Sequence, residues 1–165
     1  MYCLGRVGSG ELGGLCCGRG AQVMTLVREL EKFTSAGQRY PLILTGDLNS
    51  LHDSAVYEFL QRGCVAPGHA ELQEDAQGVL EHAELRHGLQ LRDAHAVLGP
   101  GVCTNFTGTF SGVLDYIWYT AERLRVTRVM EQIDRATLTA HTALPSPQYS
   151  SDHIALMCEF ELTVR

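Results

Sequence analysis

Two apolar segments of this chain each bring an acidic residue to a place where a strand is predicted, and this constrains the fold most. The first segment, 42–44, runs into 46–50 and so places Asp47 at the end of a short buried strand. The second segment, 113–119, contains Asp115 among apolar neighbours. A buried carboxylate is costly unless it is paired or binds a metal ion. We therefore expect a sheet that positions acidic side chains.

The composition is that of a globular domain, with 45% hydrophobic and 19% charged residues among 165. The net charge of −6 argues against non-specific binding to duplex nucleic acid, which usually needs a basic surface. It leaves open an enzyme that places cations between its carboxylates and a phosphate. The six cysteines form no C-x-x-C pair, which argues against a zinc ribbon and a thioredoxin motif. The start of the sequence has no continuous apolar segment of the secretory type, so a reducing compartment is expected, the cytoplasm first, with the nucleus or an organelle as alternatives.

No apolar run approaches the roughly 20 residues that span a bilayer, so we predict no membrane segment. Residues 1–20 hold seven of the seventeen glycines and no apolar period, which predicts a disordered glycine-rich leader. Apolar residues at helical spacing predict a helix over 21–36, ended by Gly37. A shorter helix should begin after Asp53 or Ser54 and end at Gly63.

Five further segments have strand-like patterns, of which the last alternates most strongly between apolar and polar residues. The segments are 89–97, 102–107, 113–119, 124–130 and 154–162. With two helices and about six strands in all, an α/β class is predicted for residues 21–165 as one domain.

Asp47 and Asn49 are two residues apart, so in extended geometry their side chains face the same way. The carboxylate can bind a hard cation or accept a proton from water, and the amide can donate to a phosphoryl oxygen. The alternative is a local turn, because Asp and Asn readily bond to neighbouring backbone groups. Asp115 is equally open between a functional carboxylate and a structural hydrogen bond.

Asp152 and His153 precede the final strand, where an acid can fix an imidazole's tautomer or hold it cationic beside a phosphate. A capping aspartate next to an exposed histidine is the simpler interpretation of this pair alone. Taken with Asp47, Asn49 and Asp115, however, the pair completes a set of acid, amide and imidazole groups. Such a set is suited to metal-assisted phosphodiester hydrolysis.

Three motifs in order resemble the endonuclease/exonuclease/phosphatase superfamily, and within it the poly(A) deadenylases of the carbon catabolite repressor type, especially plant-like members. Mitochondrial 2′-phosphodiesterase and nocturnin are near relatives of these. The first motif is Gly46-Asp-Leu-Asn-Ser50 followed by Asp53-Ser54. The second runs from Thr104-Asn-Phe through Phe110-Ser-Gly to Asp115-Tyr-Ile-Trp-Tyr119, and the third is Ser151-Asp-His-Ile-Ala-Leu156.

The resemblance implies the C-terminal part of a four-layer α/β sandwich and Mg²⁺-dependent 3′-to-5′ removal of AMP from poly(A) RNA, with Mn²⁺ as an alternative ion. It implies that Asp47 is the general base and that Asn49 binds phosphate. Asp47 and Asp115 would bind metal, and His153 would stabilise phosphoryl charge. The supporting and substrate-binding residues implied are Asp152 for orientation, Phe110 for stacking on adenine, and Asn105.

The sequence departs from the family in its first part. The family's Leu-Gln-Glu-type strand, which carries a principal Mg²⁺ ligand, finds no match here, so we expect a truncated domain without most of its first sheet and with weaker Mg²⁺ binding. The resemblance implies poly(A) RNA or oligoadenylate as the substrate and subunits of a deadenylase complex as protein partners. The leucine-rich repeat by which such deadenylases often join the complex finds no match in this sequence. The alternatives are a 2′,5′-phosphodiesterase, a nucleotide phosphatase, or an inert fragment or binding module.

Overall fold

The computed structural model describes residues 15–34, 40–73, 85–99 and 103–163, with side chains from residue 18 onward. The helices are α1 (Leu15–Thr34), α2 (Ala55–Arg62), α3 (Ala70–Gln73) and α4 (Arg135–Thr139), together with a 3₁₀ turn at Ala96–Leu98. The strands are β1 (Ile43–Asp47), β2 (Leu91–Asp93), β3 (Asn105–Phe106), β4 (Ser111–Gly112), β5 (Asp115–Thr120), β6 (Leu124–Val129) and β7 (Cys158–Leu162). Among these helices none is long and apolar enough to cross a membrane.

Strand β5 is the centre of an antiparallel three-stranded sheet of order β1-β5-β2, while β3-β4 and β6-β7 form two-stranded ribbons. Alternate residues of β5 point to opposite faces of this sheet. Tyr116, Trp118 and Thr120 are buried on one face. The ring of Tyr57 from α2 lies 5.0 Å from that of Trp118, so the helices cover this face. The main core therefore lies between α1, α2 and the sheet.

The opposite face of the sheet meets the β6-β7 ribbon. Tyr119 of β5 contacts Phe160 of β7 with ring centroids 5.2 Å apart. A second, smaller core joins Leu138 of α4 to Leu144 and Ile154. This second core lies beside the segment that carries His153, so it fixes the approach of that segment to the sheet.

The predicted leader is wrong for residues 15–20, because α1 begins at Leu15. Residues 1–14 and Gly37 lie outside the described residues. Glycine disfavours a helix, but tertiary packing routinely overrides such a preference. Here Val23 and Val27 of α1 are buried in the main core, and Arg19 bonds to the loop after β1. These contacts stabilise the helix through its glycines.

The short helix α2 is confirmed with both of its ends. The hydroxyl of Ser54 accepts a hydrogen bond from the Tyr57 amide at 3.2 Å. Gly63 has a φ of 73°, and its N–H donates to the carbonyl of Phe59 at 2.9 Å. A Cβ at Gly63 would come within 2.7 Å of the His87 carbonyl oxygen, so this position requires glycine.

Several predicted strands are shorter than expected: in 102–107 only β3 is a strand, and β5 begins at Asp115 rather than at residue 113. Two others have a clear physical reason. The predicted strand 89–97 is extended only over β2, because the Asp93 carboxylate accepts the amide of His95 at 2.9 Å and turns the chain. The predicted strand 154–162 is extended only over β7, because the Ile154 amide donates to the Thr104 carbonyl at 2.7 Å. Local side-chain bonds and a distant backbone partner therefore override the alternation of residues at these two ends.

The buried Leu60 of α2 gives a test of the main core. Replacing it with alanine should lower the free energy of unfolding by about 2–5 kcal/mol, because a cavity remains where the side chain was. Val97→Ala is the matched control, since Val97 is 76% exposed and should change stability little. Urea denaturation of both variants measures the difference, and equal losses would show that Leu60 does not lie in a packed core.

Candidate active site

The register of β1 and β5 places two carboxylates opposite each other. Asp47, the last residue of β1, pairs with Asp115, the first residue of β5. Along the same ladder, Ile43 pairs with Tyr119 and Thr45 with Ile117, so all six side chains share the face away from the helices. The two predicted acidic residues are therefore neighbours at one end of this face.

His153 joins the two carboxylates. Its Nδ1 atom lies 2.8 Å from Oδ2 of Asp115, within hydrogen-bond distance, and its Nε2 atom lies 3.9 Å from Oδ2 of Asp47. The three side chains are each between about one fifth and one third exposed, at 22% for Asp115, 28% for His153 and 32% for Asp47. The site is thus held in place and remains open to a substrate.

Thr104 links the segments that carry these residues. It is fully buried, and its hydroxyl accepts the amides of Leu114 at 2.9 Å and Asp115 at 3.1 Å. Its carbonyl accepts the amide of Ile154, the residue after His153. One threonine therefore fixes the start of β5 with its side chain and the His153 segment with its backbone.

The pKa of Asp47 is raised above its ordinary value, first by burial of the carboxylate and also by the like charge of Asp115. The Asn49 amide, His153 and Arg19 act in the opposite direction, because each favours the charged carboxylate. A carboxylate whose pKa is raised accepts a proton more readily than an ordinary aspartate does. A cation between the two carboxylates would also remove the repulsion that raises this pKa.

The donor set fits a hard divalent cation. Three possible ligand atoms lie within 4.8 Å of one another, one each from Asp47, Asp115 and His153. Mg²⁺ prefers oxygen ligands and binds through one or two carboxylates plus water and substrate phosphate. Because Nδ1 of His153 already bonds to Asp115, the two carboxylates are the better ligands and the imidazole is the better partner for an anion.

Asn49 adopts a left-handed conformation with a φ of 49°. Its amide N–H donates to Oδ1 of Asp47 at 2.8 Å, and its carbonyl accepts a hydrogen bond from the Arg19 guanidinium. Tyr116 holds the next residue from the helix side, since its hydroxyl donates to the Ser50 carbonyl at 2.6 Å. The turn at Asp47 and Asn49 is therefore present and orients the Asp47 carboxylate, while the phosphate-binding role of Asn49 stays a prediction.

Asn105 and Asp152 bond to each other. Nδ2 of Asn105 donates to the carbonyl oxygen of Asp152 at 3.2 Å and lies 3.5 Å from its carboxylate. Asn105 is 5% exposed. This arrangement ties β3 to the segment before His153, while a contact of Asn105 with substrate stays a prediction.

Phe110 lies at the turn of the β3-β4 hairpin, with its ring against Gly112. A Cβ at Gly112 would lie 2.8 Å from the Phe110 ring and 3.0 Å from Leu51, so a larger residue there would displace these two side chains. Leu51 follows the Asn49 turn closely and is 40% exposed. The predicted aromatic residue is therefore next to the loop that follows β1, and its stacking on a base stays a prediction.

Sequence reasoning missed Thr104 and Arg19 as parts of this site. In the sequence Thr104 is only the first residue of a motif. Its structural role depends on the backbone amides of Leu114 and Asp115, ten and eleven residues away. Arg19 lies in a glycine-rich segment whose helical structure the periodicity did not reveal. Neither residue carries a local signal, because both act on segments that are distant in the chain.

A family model described as the endonuclease/exonuclease/phosphatase family matches residues 19–153. The chain belongs to this family. Carbon catabolite repressor protein 4 homolog 1 of Arabidopsis thaliana is 39% identical over 87% of the chain, which is 27% of that relative's length. The Ccr4 3′-5′-exoribonuclease subunit of the CCR4-Not complex from Coccidioides immitis is 36% identical over 79% of the chain and 17% of its own length. The chain thus spans about a quarter or less of these relatives.

Solved structures confirm the α/β fold of the family. One is ANGEL2, a 2′,3′-cyclic phosphatase solved with adenosine-2′,3′-vanadate. The match covers 92% of this chain and 54% of the ANGEL2 chain, with a TM-score of 0.73 and 20% sequence identity. Another is the human nocturnin catalytic domain with bound sulfate. That match covers 94% of this chain and 44% of the nocturnin chain, with a TM-score of 0.60 and 25% sequence identity. The deadenylase-type resemblance predicted from the three motifs is also confirmed by the Ccr4-type relatives.

Thr104 gives a test of how the site is assembled. Thr104→Val keeps the shape but leaves the amides of Leu114 and Asp115 without an acceptor, which should lower the free energy of unfolding by about 1–3 kcal/mol. Thr104→Ser keeps the hydroxyl and should retain most of the stability. Thermal unfolding of the three proteins measures this, and the interpretation is wrong if valine and serine have the same effect.

Proposed function

We propose that this chain carries the catalytic residues of a Mg²⁺-dependent 3′-to-5′ exoribonuclease that shortens poly(A) tails and releases AMP. The observation that supports this most is the arrangement of Asp47, His153 and Asp115 at one end of the sheet. The names of the Ccr4-type relatives support the reaction, since they are 3′-5′-exoribonucleases.

Asp47 and Asp115 would hold the ion, which we propose is Mg²⁺, with Mn²⁺ as the alternative. When bound, the ion supplies positive charge that polarises the phosphoryl group. A chain with a net charge of −6 needs such a cation to bring a polyanionic RNA to two carboxylates.

The protein groups then have separate roles. Asp47 accepts the proton of the attacking water, with the carboxylate oriented by the amide of Asn49. Asp115 orients His153 through the 2.8 Å bond to Nδ1, which leaves Nε2 free to donate to a phosphoryl oxygen. Asn49 donates its side-chain amide to the same phosphate.

The binding of the base would come from the β3-β4 hairpin. Phe110 presents an aromatic ring beside the catalytic loop, and stacking on such a ring is worth about 1–3 kcal/mol per base. Asn105 and Asp152 support the hairpin and the His153 segment through their mutual hydrogen bond. We propose that the substrate is therefore poly(A) RNA or oligoadenylate.

The setting follows from the relatives rather than from the site. The Ccr4 relatives are named as subunits of the CCR4-Not complex, so we propose mRNA decay in the cytoplasm and contact with such subunits. A 2′,5′-phosphodiesterase or a nucleotide phosphatase on the same fold is the second candidate.

Asp47→Asn tests the proposed reaction. Labelled oligoadenylate with Mg²⁺ should be shortened from its 3′ end with release of AMP, and the variant should lose about 100-fold or more of this activity because the general base is gone. A 2′,5′-linked oligoadenylate run in parallel separates the second candidate, and gel analysis of products with chromatography of AMP measures both.

Asp53→Asn is the matched control, because Asp53 is an exposed carboxylate in the same loop and should keep full activity. If the folded wild-type chain leaves both linkages intact, the enzymatic proposal fails and the chain is an inert or binding module. Faster cleavage of the 2′,5′ linkage would favour the second candidate instead.

A further inference from the structure

Arg19 of α1 contacts the loop that follows β1, although it lies outside the three sequence motifs. Its guanidinium donates to the backbone carbonyl of Asn49. Its charge also acts on the Asp47 carboxylate, where it favours the ionised form. Helix α1 is therefore connected to the two residues at the end of β1, although its apolar face packs into the main core on the other side of the sheet.

The bond from Arg19 falls on a strained residue. Asn49 has a positive φ, a conformation that costs free energy for a residue with a side chain and persists only where the surroundings hold it. Its N–H is fixed by Asp47 and its carbonyl by Arg19, so the backbone of this residue is held on both sides. The exposed side-chain amide is then the group that remains for a substrate.

We propose that Arg19 is a positioning residue, which keeps Asn49 in its left-handed turn so that its amide donates to the substrate phosphate beside Asp47. This inference rests on the proposed function, because it names how that site holds a phosphate. It assigns to α1 a part in substrate binding in addition to its packing. Arginine suits this role, since its planar guanidinium fixes the geometry of the groups that it bonds.

Two other roles for Arg19 would have different consequences. A guanidinium that contacted the substrate phosphate directly would act independently of the Asn49 amide. A cation that served only the charge of the site would act on every anion and would be replaced fully by any other cation. Coupling between Arg19 and Asn49 therefore distinguishes positioning from both.

The experiment is a double-mutant cycle with Arg19→Met and Asn49→Gly. Glycine removes the amide yet adopts a positive φ without strain. Each single variant should raise the KM for oligoadenylate and the Kd for AMP with Mg²⁺ by about 10-fold, the size of one lost hydrogen bond to a charged group. The double variant should be no worse than Asn49→Gly alone, because the amide that Arg19 positions is already absent.

Arg28→Met is the matched control, since Arg28 is exposed on the same helix and carries the same charge away from the site. It should leave KM, Kd and the melting temperature unchanged, whereas Arg19→Lys should recover part of the loss. Additive losses in the double variant, or an Arg19→Met protein equal to Arg28→Met, would overturn the positioning role.

Failure of the proposed nuclease function can be distinguished from failure of the positioning role of Arg19. If wild type binds AMP but cleaves no oligonucleotide, the nuclease proposal fails, and the cycle measured on the AMP Kd by calorimetry still decides the role of Arg19. If wild type binds no AMP in the presence of Mg²⁺, the positioning role is overturned together with the phosphate site.

Discussion

The antiparallel pairing of β1 with β5 is the interaction on which the rest of the site depends. It brings Asp47 opposite Asp115, on the face of the sheet that the helices leave uncovered. The register is fixed by packing on the other face, where Leu44 lies opposite the buried Trp118 and packs against the main core. A slip by one residue would turn Asp47 into that core and an apolar residue towards solvent. The hydrophobic core therefore determines where the charges meet.

Two carboxylates this close repel each other. Hydrogen bonds and a positive charge from other segments of the chain stabilise them. His153 bonds to Asp115, and the Asn49 amide bonds to Asp47. Thr104 holds β5 and the His153 segment together, while Arg19 brings a positive charge from α1. Burial first, and the remaining repulsion from Asp115 second, raise the pKa of Asp47. Two partly buried carboxylates of this kind are suited to a divalent cation. Stability and proposed chemistry thus depend on the same few contacts.

Much of this could be predicted from residues that lie close together in the sequence. The i, i+2 spacing of Asp47 and Asn49, the apolar neighbours of Asp115 and the caps of α2 all act within a few residues. The three motifs together also predicted the family, which was confirmed. The spacing alone could not decide whether Asp47 and Asn49 form a turn or a site, and the structure shows a turn whose bond orients Asp47. The meeting of His153 with Asp115, the hydroxyl of Thr104 and the helix around Arg19 all depend on tertiary contacts, so no local pattern could reveal them.

We propose that Asp47 and Asp115 form a divalent-cation site with His153 beside it. Crystals of the protein soaked with Mn²⁺ in place of Mg²⁺ test it directly, because anomalous scattering locates that ion. An anomalous peak is expected within coordination distance of carboxylate oxygens of both Asp47 and Asp115. A protein that takes up Mn²⁺ only at other carboxylates, with these two side chains left without an ion, would contradict it.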